Sequence, residues 1–308
     1  MVEMKTLDMR EGAQGRRQQG EEITVGSLRA RSYWMMVWVR LRRDPVSMVC
    51  GVILILIALA SIFAPWLAPH DPYQTSVFKR LAPIGSPNYL LGADELGRDM
   101  LSRLLYGGRV SLFVGLFPVV GALLVGGTAG IAAGFVGGRT NMLIMRLMDV
   151  FYAFPSVLLA IAISGALGAG FFNVILSLTL ILIPPIARVS ESVTTQVRTY
   201  DFVEAARASG AGSWTIIRVH VLSNVLGPIF IYATSLMSFS IIVASGLSFL
   251  GLGVTPPTAD WGLMLSTLRQ SIWVNPYVAA LPGAMIFITS LCFNLLSDGL
   301  RSAMDMRL

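Results

Sequence analysis

Charged side chains are scarce in this chain of 308 residues. Asp, Glu, Lys and Arg make up 13% of the sequence, hydrophobic residues make up 55%, and the mean hydropathy is +0.70. Soluble domains carry about 25% charged residues. The scarcity of charge excludes an ordinary soluble domain and indicates a protein of the lipid bilayer.

Cysteine and histidine are also nearly absent. Cys50 and Cys292 both lie in apolar runs, and the two histidines, His70 and His220, are 150 residues apart. A structural zinc site needs four Cys or His ligands, and a Cys in a membrane helix usually acts as a small hydrophobe. We therefore expect neither a metal site nor a structural disulfide.

Lysine occurs only twice, at Lys5 and Lys79, and neither follows a glycine. The phosphate-binding sequence G-x-x-x-x-G-K-[ST] is therefore excluded. The apolar runs contain no paired carboxylates and no nucleophile with a base. We expect a protein that is not an enzyme and has no cofactor of its own. Its net charge of +6 fits cytoplasmic loops better than nucleic-acid binding.

Long apolar runs dominate the rest of the chain, and a spanning helix needs about 20 apolar residues. Six segments qualify: Ser47–Leu67, Val110–Val136, Ile144–Leu167, Phe171–Val189, Leu222–Leu250 and Val278–Leu296. They predict an all-α, polytopic membrane protein with six transmembrane helices. An even number of spans places both termini on one side.

Three regions follow from these spans. Residues 1–46 form a polar tail, expected to be cytoplasmic and disordered up to about Ser27, with an amphipathic stretch at Tyr33–Val39 that lies on the membrane surface. Residues 47–109 hold the first span and an outer segment, and residues 110–308 hold the five-span core. With the N-terminus inside, 17 Lys and Arg residues lie on the cytoplasmic side and 6 on the outer side, as the positive-inside rule requires.

The second span carries Gly126, Gly130, Gly134 and Gly138 at intervals of four. This spacing puts them on one helix face, where small residues let two helix backbones approach closely. We expect a packing spine. Prolines interrupt nearly every span and favour kinks: Pro118, Pro155, Pro184, Pro185, Pro228 and Pro282.

Charges inside the spans form three pairs of opposite sign, each spaced by three residues: Arg146 and Asp149, Arg188 and Glu191, Asp298 and Arg301. This spacing lets two side chains meet on one helix face. They are interpreted either as locally paired charges at helix ends or as a gate or inter-subunit contact. No acid lies at a predicted bilayer midplane, which weighs against a proton-coupled carrier.

A polar segment at about 200–218 separates two spans on the predicted cytoplasmic side. Asp201 is expected to cap a short helix with Glu204 at its third position, and Gly210 to end it. Ser213 is expected to cap a second helix, Trp214–His220. The small side chains Ala205 and Ala206 with one acid suit a groove on a partner.

The sequence Glu204-Ala205-Ala206-x3-Gly210 resembles the EAA signature of permease subunits in bacterial ATP-binding-cassette (ABC) importers. Other segments are similar to the C-subunit type of dipeptide and oligopeptide permeases: Leu91–Asp99, Ser102–Ser111, Leu247–Gly253 with Pro256-Pro257 and Trp261-Gly262, and Phe293–Arg301. The resemblance covers about Arg40 to Met306. It departs at Leu222-Ser223-Asn224, where relatives commonly have Leu-Pro-Asn, and at the short end Asp305–Leu308.

The resemblance implies a type I importer with a MetI-like permease core in the bacterial inner membrane, which moves di- and oligopeptides inward. The implied partners are a second permease of the B type, two ATPase subunits that bind ATP and Mg, and an external solute-binding protein. The coupling helix would contact an ATPase through these residues: Asp201, Glu204, Ala205, Ala206, Gly210, Ser213 and Trp214. The outer stretches would receive the binding protein, with these candidate contacts: Asp94, Arg98, Asp99 and Trp261.

Alternatives remain open at the level of sequence. One alternative is an importer of the same class whose solute is nickel, glutathione or an opine-like compound. An uncoupled channel would not retain an ATPase on purification, whereas a proton-coupled carrier would need inverted repeats and a midplane acid. A membrane-embedded enzyme lacks the catalytic groups it would need.

Overall fold

The computed structural model describes residues 33–304, and these form helices and turns with no β-strand. The predictions for the tail up to Ser27 and for the end at Asp305–Leu308 lie outside these residues. The helices are α1 (Tyr33–Leu41), α2 (Pro45–Ile62), α3 (Ala64–Leu67), α4 (Met100–Val136), α5 (Gly138–Tyr152), α6 (Ser156–Leu167), α7 (Phe171–Arg198), α8 (Asp201–Ala208), α9 (Ser213–Phe249), α10 (Trp261–Thr267) and α11 (Pro276–Met304). The all-α fold class is confirmed.

Within residues 33–304, five helices are long and apolar enough to cross a membrane: α2, α4, α7, α9 and α11. Helices α5 and α6 pass the same test only together, and they meet at an angle of 83°. The structure therefore has five spanning helices, or six if this bent pair counts as one span.

The third predicted span, Ile144–Leu167, is wrong as a continuous helix because it breaks at Pro155. Pro155 has no amide hydrogen to donate, and its ring pushes Phe154 out of the helical conformation. Pro155 itself is extended, with φ −56° and ψ 123°. The other five intramembrane prolines lie inside helices that continue past them.

Two of the long apolar helices begin at an aspartate cap. Asp44 accepts from the backbone amides of Val46 and Ser47 at the start of α2, and the Ser47 hydroxyl, which also donates to it, lowers the pKa of Asp44. Asp99 accepts from the Ser102 amide, so α4 begins at Met100 rather than at the predicted Val110. The predicted boundary at residue 109 therefore falls inside α4. At 37 residues, α4 is about 55 Å long and extends beyond a hydrocarbon core of about 30 Å.

The glycine spine packs α4 against α7. A Cβ at Gly126 would lie 2.5 Å from the Ile183 carbonyl oxygen, and one at Gly134 would lie 2.7 Å from the Glu191 carbonyl oxygen. A Cβ at Gly130 would overlap the Ala187 carbonyl. Gly138 is not part of this spine: it lies beyond the end of α4, with φ +54° and open space around it.

The main core lies between α4, α6, α7 and α9, where small and branched residues interdigitate. Its buried members include Val119, Ala160, Leu178, Ile186 and Leu247. Helix α11 packs beside α9, and α2 packs on α11. Helix α1 covers the predicted amphipathic stretch, and its Val37 and Leu41 pack on the C-terminal end of α11.

Candidate functional site

Helix α8, the predicted coupling helix, is fixed to the rest of the chain mainly by one fully buried apolar side chain. Val203 is fully buried against the ends of α4 and α7 and the start of α9, where it meets Phe135, Val197, Ile216 and Val221. Ala206 is partly buried against the same cluster, and the rest of α8 is exposed. The helix is thus anchored while presenting its surface.

The exposed surface of α8 combines acid, small side chains and aromatics. Asp201, Glu204 and Ala205 are exposed, and Ala206 is partly so. Trp214, at the start of α9, is 73% exposed. Asp201 and Glu204 lie in the first turn, where the helix dipole favours negative charge.

The two predicted caps of this region are wrong. The N-cap of α8 is Tyr200, in an extended conformation, and Asp201 is the first helical residue. The N-cap of α9 is Gly212, and Ser213 is helical. Both N-caps lack a side-chain hydrogen bond; the Tyr200 carbonyl accepts from the Val203 amide at 2.9 Å. An acid is also favoured in the first helical turn, so the sequence pattern did not decide whether Asp201 caps the helix or begins it.

Gly210 ends α8 as predicted, through a Schellman motif. The Ala211 amide donates to the Ala206 carbonyl at 3.1 Å, and the Gly210 amide donates to the Arg207 carbonyl at 2.9 Å. Gly210 has φ +82°, a conformation that residues with a side chain rarely adopt. The turn brings the chain back directly into α9.

Helix α9 continues from Ser213 through the predicted second helix into the span, with a π-helical turn at Ile216–Val221. The wider turn leaves carbonyls partly unpaired, and side chains satisfy them. Ser223 donates to the Val219 carbonyl at 3.0 Å, and Asn224 donates to the His220 carbonyl at 2.6 Å. Ser223 stands at the departure from Leu-Pro-Asn, and here its hydroxyl supplies one of these bonds.

Two of the predicted ion pairs rearrange. Arg188 of α7 pairs with Asp149 of α5 at 2.5 Å, instead of with Glu191. Arg146 forms no ion pair with any described residue. Glu191 accepts from the Asn141 side-chain amide at 2.6 Å and from the Thr195 hydroxyl at 3.1 Å. Contacts with residues elsewhere in the fold therefore replaced the predicted contacts between residues spaced by three.

The third predicted ion pair, between Asp298 and Arg301, does not form. Asp298 and Arg301 of α11 are both exposed, and their side chains are not within ion-pair distance of each other. A spacing of three permits such a contact, but exposed pairs are worth only about 0–1 kcal/mol.

The candidate binding-protein contacts on the outer segment are buried. Asp94 is 2% exposed, Arg98 5%, Asp99 1% and Trp261 0%. Their side chains are thus not available to a docked protein, and their prediction as direct contacts is wrong. They hold the outer segment together instead.

Asp94 is the centre of that internal network. One carboxylate oxygen accepts from the Arg98 guanidinium at 2.6 Å and forms an ion pair with that of Arg103 at 3.2 Å, and the other accepts from the amides of Leu96 and Arg98. Glu95 adds a contact to Arg98 at 3.1 Å. The pairing neutralises Arg98 and Arg103, which lie at the entrance to the second span.

Trp261 joins the outer segment to α4. Its indole N–H donates to the Leu104 carbonyl at 3.0 Å, and its backbone amide donates to the Ser111 hydroxyl at 3.0 Å. The Ser111 hydroxyl donates to the buried Asp260, which caps α10. Sequence reasoning missed Asp260, although an Asp directly before a short apolar helix is an N-cap signal.

A cavity of about 310 Å³ lies at the break between α5 and α6. Its walls are the side chains at the end of α5, the Pro184-Pro185 turn of α7 and the middle of α9. The Arg188 guanidinium lies 4.9 Å from the centroid of the Tyr152 ring, which is part of the wall. Among residues 33–304, no group of three or more His, Cys, Asp or Glu side chains is placed to hold a metal ion.

This combination of apolar spanning helices, one broken span and a rigidly held polar helix defines a polytopic membrane permease. Residues 126–308 match the family described as the inner membrane component of binding-protein-dependent transport systems. Residues 32–83 match the N-terminal transmembrane domain of oligopeptide transport permease C. The chain belongs to this family, and the resemblance to C-type permeases of peptide ABC importers is confirmed.

Relatives of this chain carry related names. It is 39% identical over 278 residues to the glutathione transport system permease protein GsiD of Pectobacterium atrosepticum, covering 90% of this chain and 92% of that protein. It is 42% identical over 260 residues to the di/tripeptide transport system permease protein DppC of Pseudomonas aeruginosa, covering 83% and 86%.

A solved structure shares the fold. Inward-facing conformations of the MetNI methionine ABC transporter contain a chain that matches with a TM-score of 0.55 and 18% identity, covering 66% of this chain and 97% of that one. The predicted MetI-like permease fold is therefore confirmed.

Proposed function

We propose that the chain moves short peptides inward across the membrane, as the permease subunit of its importer. Relatives named for di- and tripeptides and for glutathione support this solute class. Glutathione is itself a tripeptide with free carboxylate and ammonium groups. A short peptide with charged ends is the solute that both names share, whereas nickel and opine-like solutes have no such support.

We propose that this subunit assembles with a B-type permease, two ATPase subunits and an external solute-binding protein. The chain has no nucleotide-binding sequence, so ATP and Mg would bind to the ATPase subunits and this chain would carry out no catalysis. The surface of α8 is the proposed contact: Asp201, Glu204, Ala205, Ala206, Gly210, Ser213 and Trp214. Its single buried anchor, Val203, lets a pull on α8 reach α4, α7 and α9 together.

We propose the bacterial inner membrane as the location, with both termini in the cytoplasm. The excess of Lys and Arg on that side supports this orientation, counting α5 and α6 as one span. The outer segment at 68–99, together with 253–275, would then face the solute-binding protein through its exposed residues. ATP binding would draw the coupling helices together and open the pathway outward.

The observation that carries the coupling proposal is the exposed acidic face of α8 on a rigid anchor. Replacing Glu204 by Lys and Gly210 by Trp should abolish both retention of the ATPase on affinity purification and ATP-driven uptake. The bulky indole and the reversed charge would block insertion into a groove. We expect at least a tenfold loss of retained ATPase.

A matched control makes the same chemical changes on the outer segment. Asp71 is exposed there, and Gly85 has φ +81° with open space, like Gly210. The double substitution Asp71→Lys with Gly85→Trp should leave ATPase retention unchanged. Full retention and transport by the α8 variant would refute α8 as the coupling surface.

A further inference from the structure

The cavity at the α5–α6 break has an aromatic wall. Phe151, Tyr152 and Phe154 contribute from the break, and Phe239 contributes from α9. The break exists because Pro155 ends the helical conformation, and Pro184-Pro185 of α7 faces it. A volume of about 310 Å³ is at the lower end of the range for small-ligand pockets, about 300–1,000 Å³.

A charged pair lies at the edge of this cavity. Arg188 follows the Pro184-Pro185 turn by one helical turn, and its guanidinium covers the ring of Tyr152. Arg188 is 53% exposed and its partner Asp149 is 49% exposed. One positive and one negative group are therefore accessible beside an apolar, aromatic cavity.

The exposure of this pair indicates water rather than lipid. Ionisable side chains within spanning helices are costly in hydrocarbon, and they face bundle interiors or water-filled cavities. Broken helices at membrane depth occur where the backbone lines a cavity or is buried in protein. The break and the half-exposed pair are two independent signs that this face lines an aqueous path.

We propose that the cavity and the Arg188–Asp149 pair form a transient binding site for a short peptide on the transport pathway. An apolar side chain of the peptide occupies the aromatic cavity. The terminal carboxylate of the peptide binds Arg188, and its ammonium group binds Asp149. This inference rests on the proposed transport of peptides and adds the place and chemistry of contact.

The weak binding free energy of this site suits a peptide that passes through rather than one that stays bound. An exposed ion pair contributes only about 0–1 kcal/mol, so opening it costs little. The peptide replaces each partner with a group of the same charge, which keeps both side chains neutralised. A pathway site must bind favourably enough to be entered and weakly enough to be left.

Photocrosslinking tests the site in the assembled importer. The photoreactive residue p-benzoylphenylalanine replaces Tyr152 in one variant and Phe172, an exposed aromatic at the far end of α7, in a control. The probe is tritiated alanyl-phenylalanine, delivered by the binding protein with ATP under irradiation. We expect label at position 152 at least five times that at position 172.

Removal of both charges tests the pair. Combining Arg188→Gln with Asp149→Asn should lower labelling at position 152 at least fivefold and raise the KM of uptake, with ATPase retention unchanged. Arg139→Gln, which removes an exposed charge at the start of α5, should change neither quantity. A merely structural pair would lower retention or assembly and leave the KM unchanged.

The two proposals fail differently. If vesicles with the unsubstituted importer show no ATP-driven uptake of alanyl-phenylalanine, the proposed transport of peptides is wrong and this inference falls with it. If uptake occurs but position 152 labels no more than position 172, only the binding site is wrong. Equal labelling with and without the Arg188–Asp149 pair would overturn the role of the charges.

Discussion

Asp94 shows how much a single buried carboxylate can organise. One of its oxygens forms ion pairs with two guanidinium groups, and the other accepts hydrogen bonds from two backbone amides. The loop at 94–98 and the first turn of α4 are joined through this residue. Removing one partner of a buried ion pair leaves the remaining charge uncompensated, which costs about 3–5 kcal/mol.

Replacing Asp94 by Asn should therefore lower the thermal unfolding temperature of the purified subunit clearly, because Arg98 and Arg103 lose their shared counter-charge. The expected cost is about 3–5 kcal/mol, reduced by what Glu95 still supplies to Arg98. The measurement is thermal unfolding in detergent, followed by tryptophan fluorescence.

The matched control is Asp71→Asn on the same segment. Asp71 is exposed, so its change should stay within about 0.5 kcal/mol. Equal melting temperatures for the two variants would contradict a structural role for Asp94.

Sequence grouped Asp94, Arg98 and Asp99 in one segment between the first two long apolar helices but misjudged their surroundings. They were predicted to meet a partner because their segment was expected to receive the binding protein, and charge is normally exposed. Their burial depends on distant contacts, such as that of Arg103 with the Pro72 carbonyl at 3.2 Å. A pattern along the chain carries no record of such contacts.

The end of α8 depends on the conformation of one glycine. Gly210 and Gly212 both have open space where a side chain would project. Gly210 has φ +82°, whereas Gly212 has φ −66°, which any residue adopts. Replacing each by Ala thus separates backbone strain from steric contact.

Gly210→Ala should destabilise the end of α8 by about 1–2 kcal/mol, because a side chain at this φ is strained. Gly212→Ala should be neutral within about 0.5 kcal/mol. Amide hydrogen exchange at Ser209–Ala211, measured by mass spectrometry, is the readout. Equal exchange in both variants would show that the Schellman motif does not hold α8 in place.

At the level of elements, sequence predicted the long apolar helices and the glycine contacts of α4 well. These features follow from composition and from a spacing of four within one helix. The caps of α8 and α9 were less predictable, because Tyr200, Asp201, Gly212 and Ser213 all stand where a helix can begin. The break at Pro155 was predicted only as a kink, since five other prolines are accommodated inside helices.

For the whole molecule, the first and last spans are neighbours. Helix α2 packs on α11, and Cys50 and Cys292 lie in one buried cluster between them. These are the only two cysteines in the chain, so the contact can be tested without engineering.

Dibromobimane, which becomes fluorescent when both arms react with thiols, should crosslink Cys50 with Cys292 inside one chain. The expected product is a fluorescent band at the position of the monomer. Cys50→Ser should remove it, because one arm then stays unreacted. Fluorescence only at dimer size would contradict the packing of α2 on α11.

The spatial arrangement of the spans was beyond the reach of sequence patterns. The apolar helices have similar sequence patterns, and which helices become neighbours depends on how their side chains fit together. The exchange of Glu191 for Asp149 as the partner of Arg188 has the same origin. The spacing predicted a contact between Arg188 and Glu191 inside α7, but α5 brings Asp149 close enough to pair with Arg188 instead.

The buried Asp94 network also determines how the outer segment responds to ionic strength. Dissolved salt screens exposed charges over about 8 Å at 0.15 M, but buried pairs are screened much less. Arg98 and Arg103 meet Asp94 at 2.6 and 3.2 Å with almost no solvent contact. This segment therefore keeps its shape at low and at high salt concentration alike, so the surface that it would offer to a partner does not depend on the ionic strength of the medium.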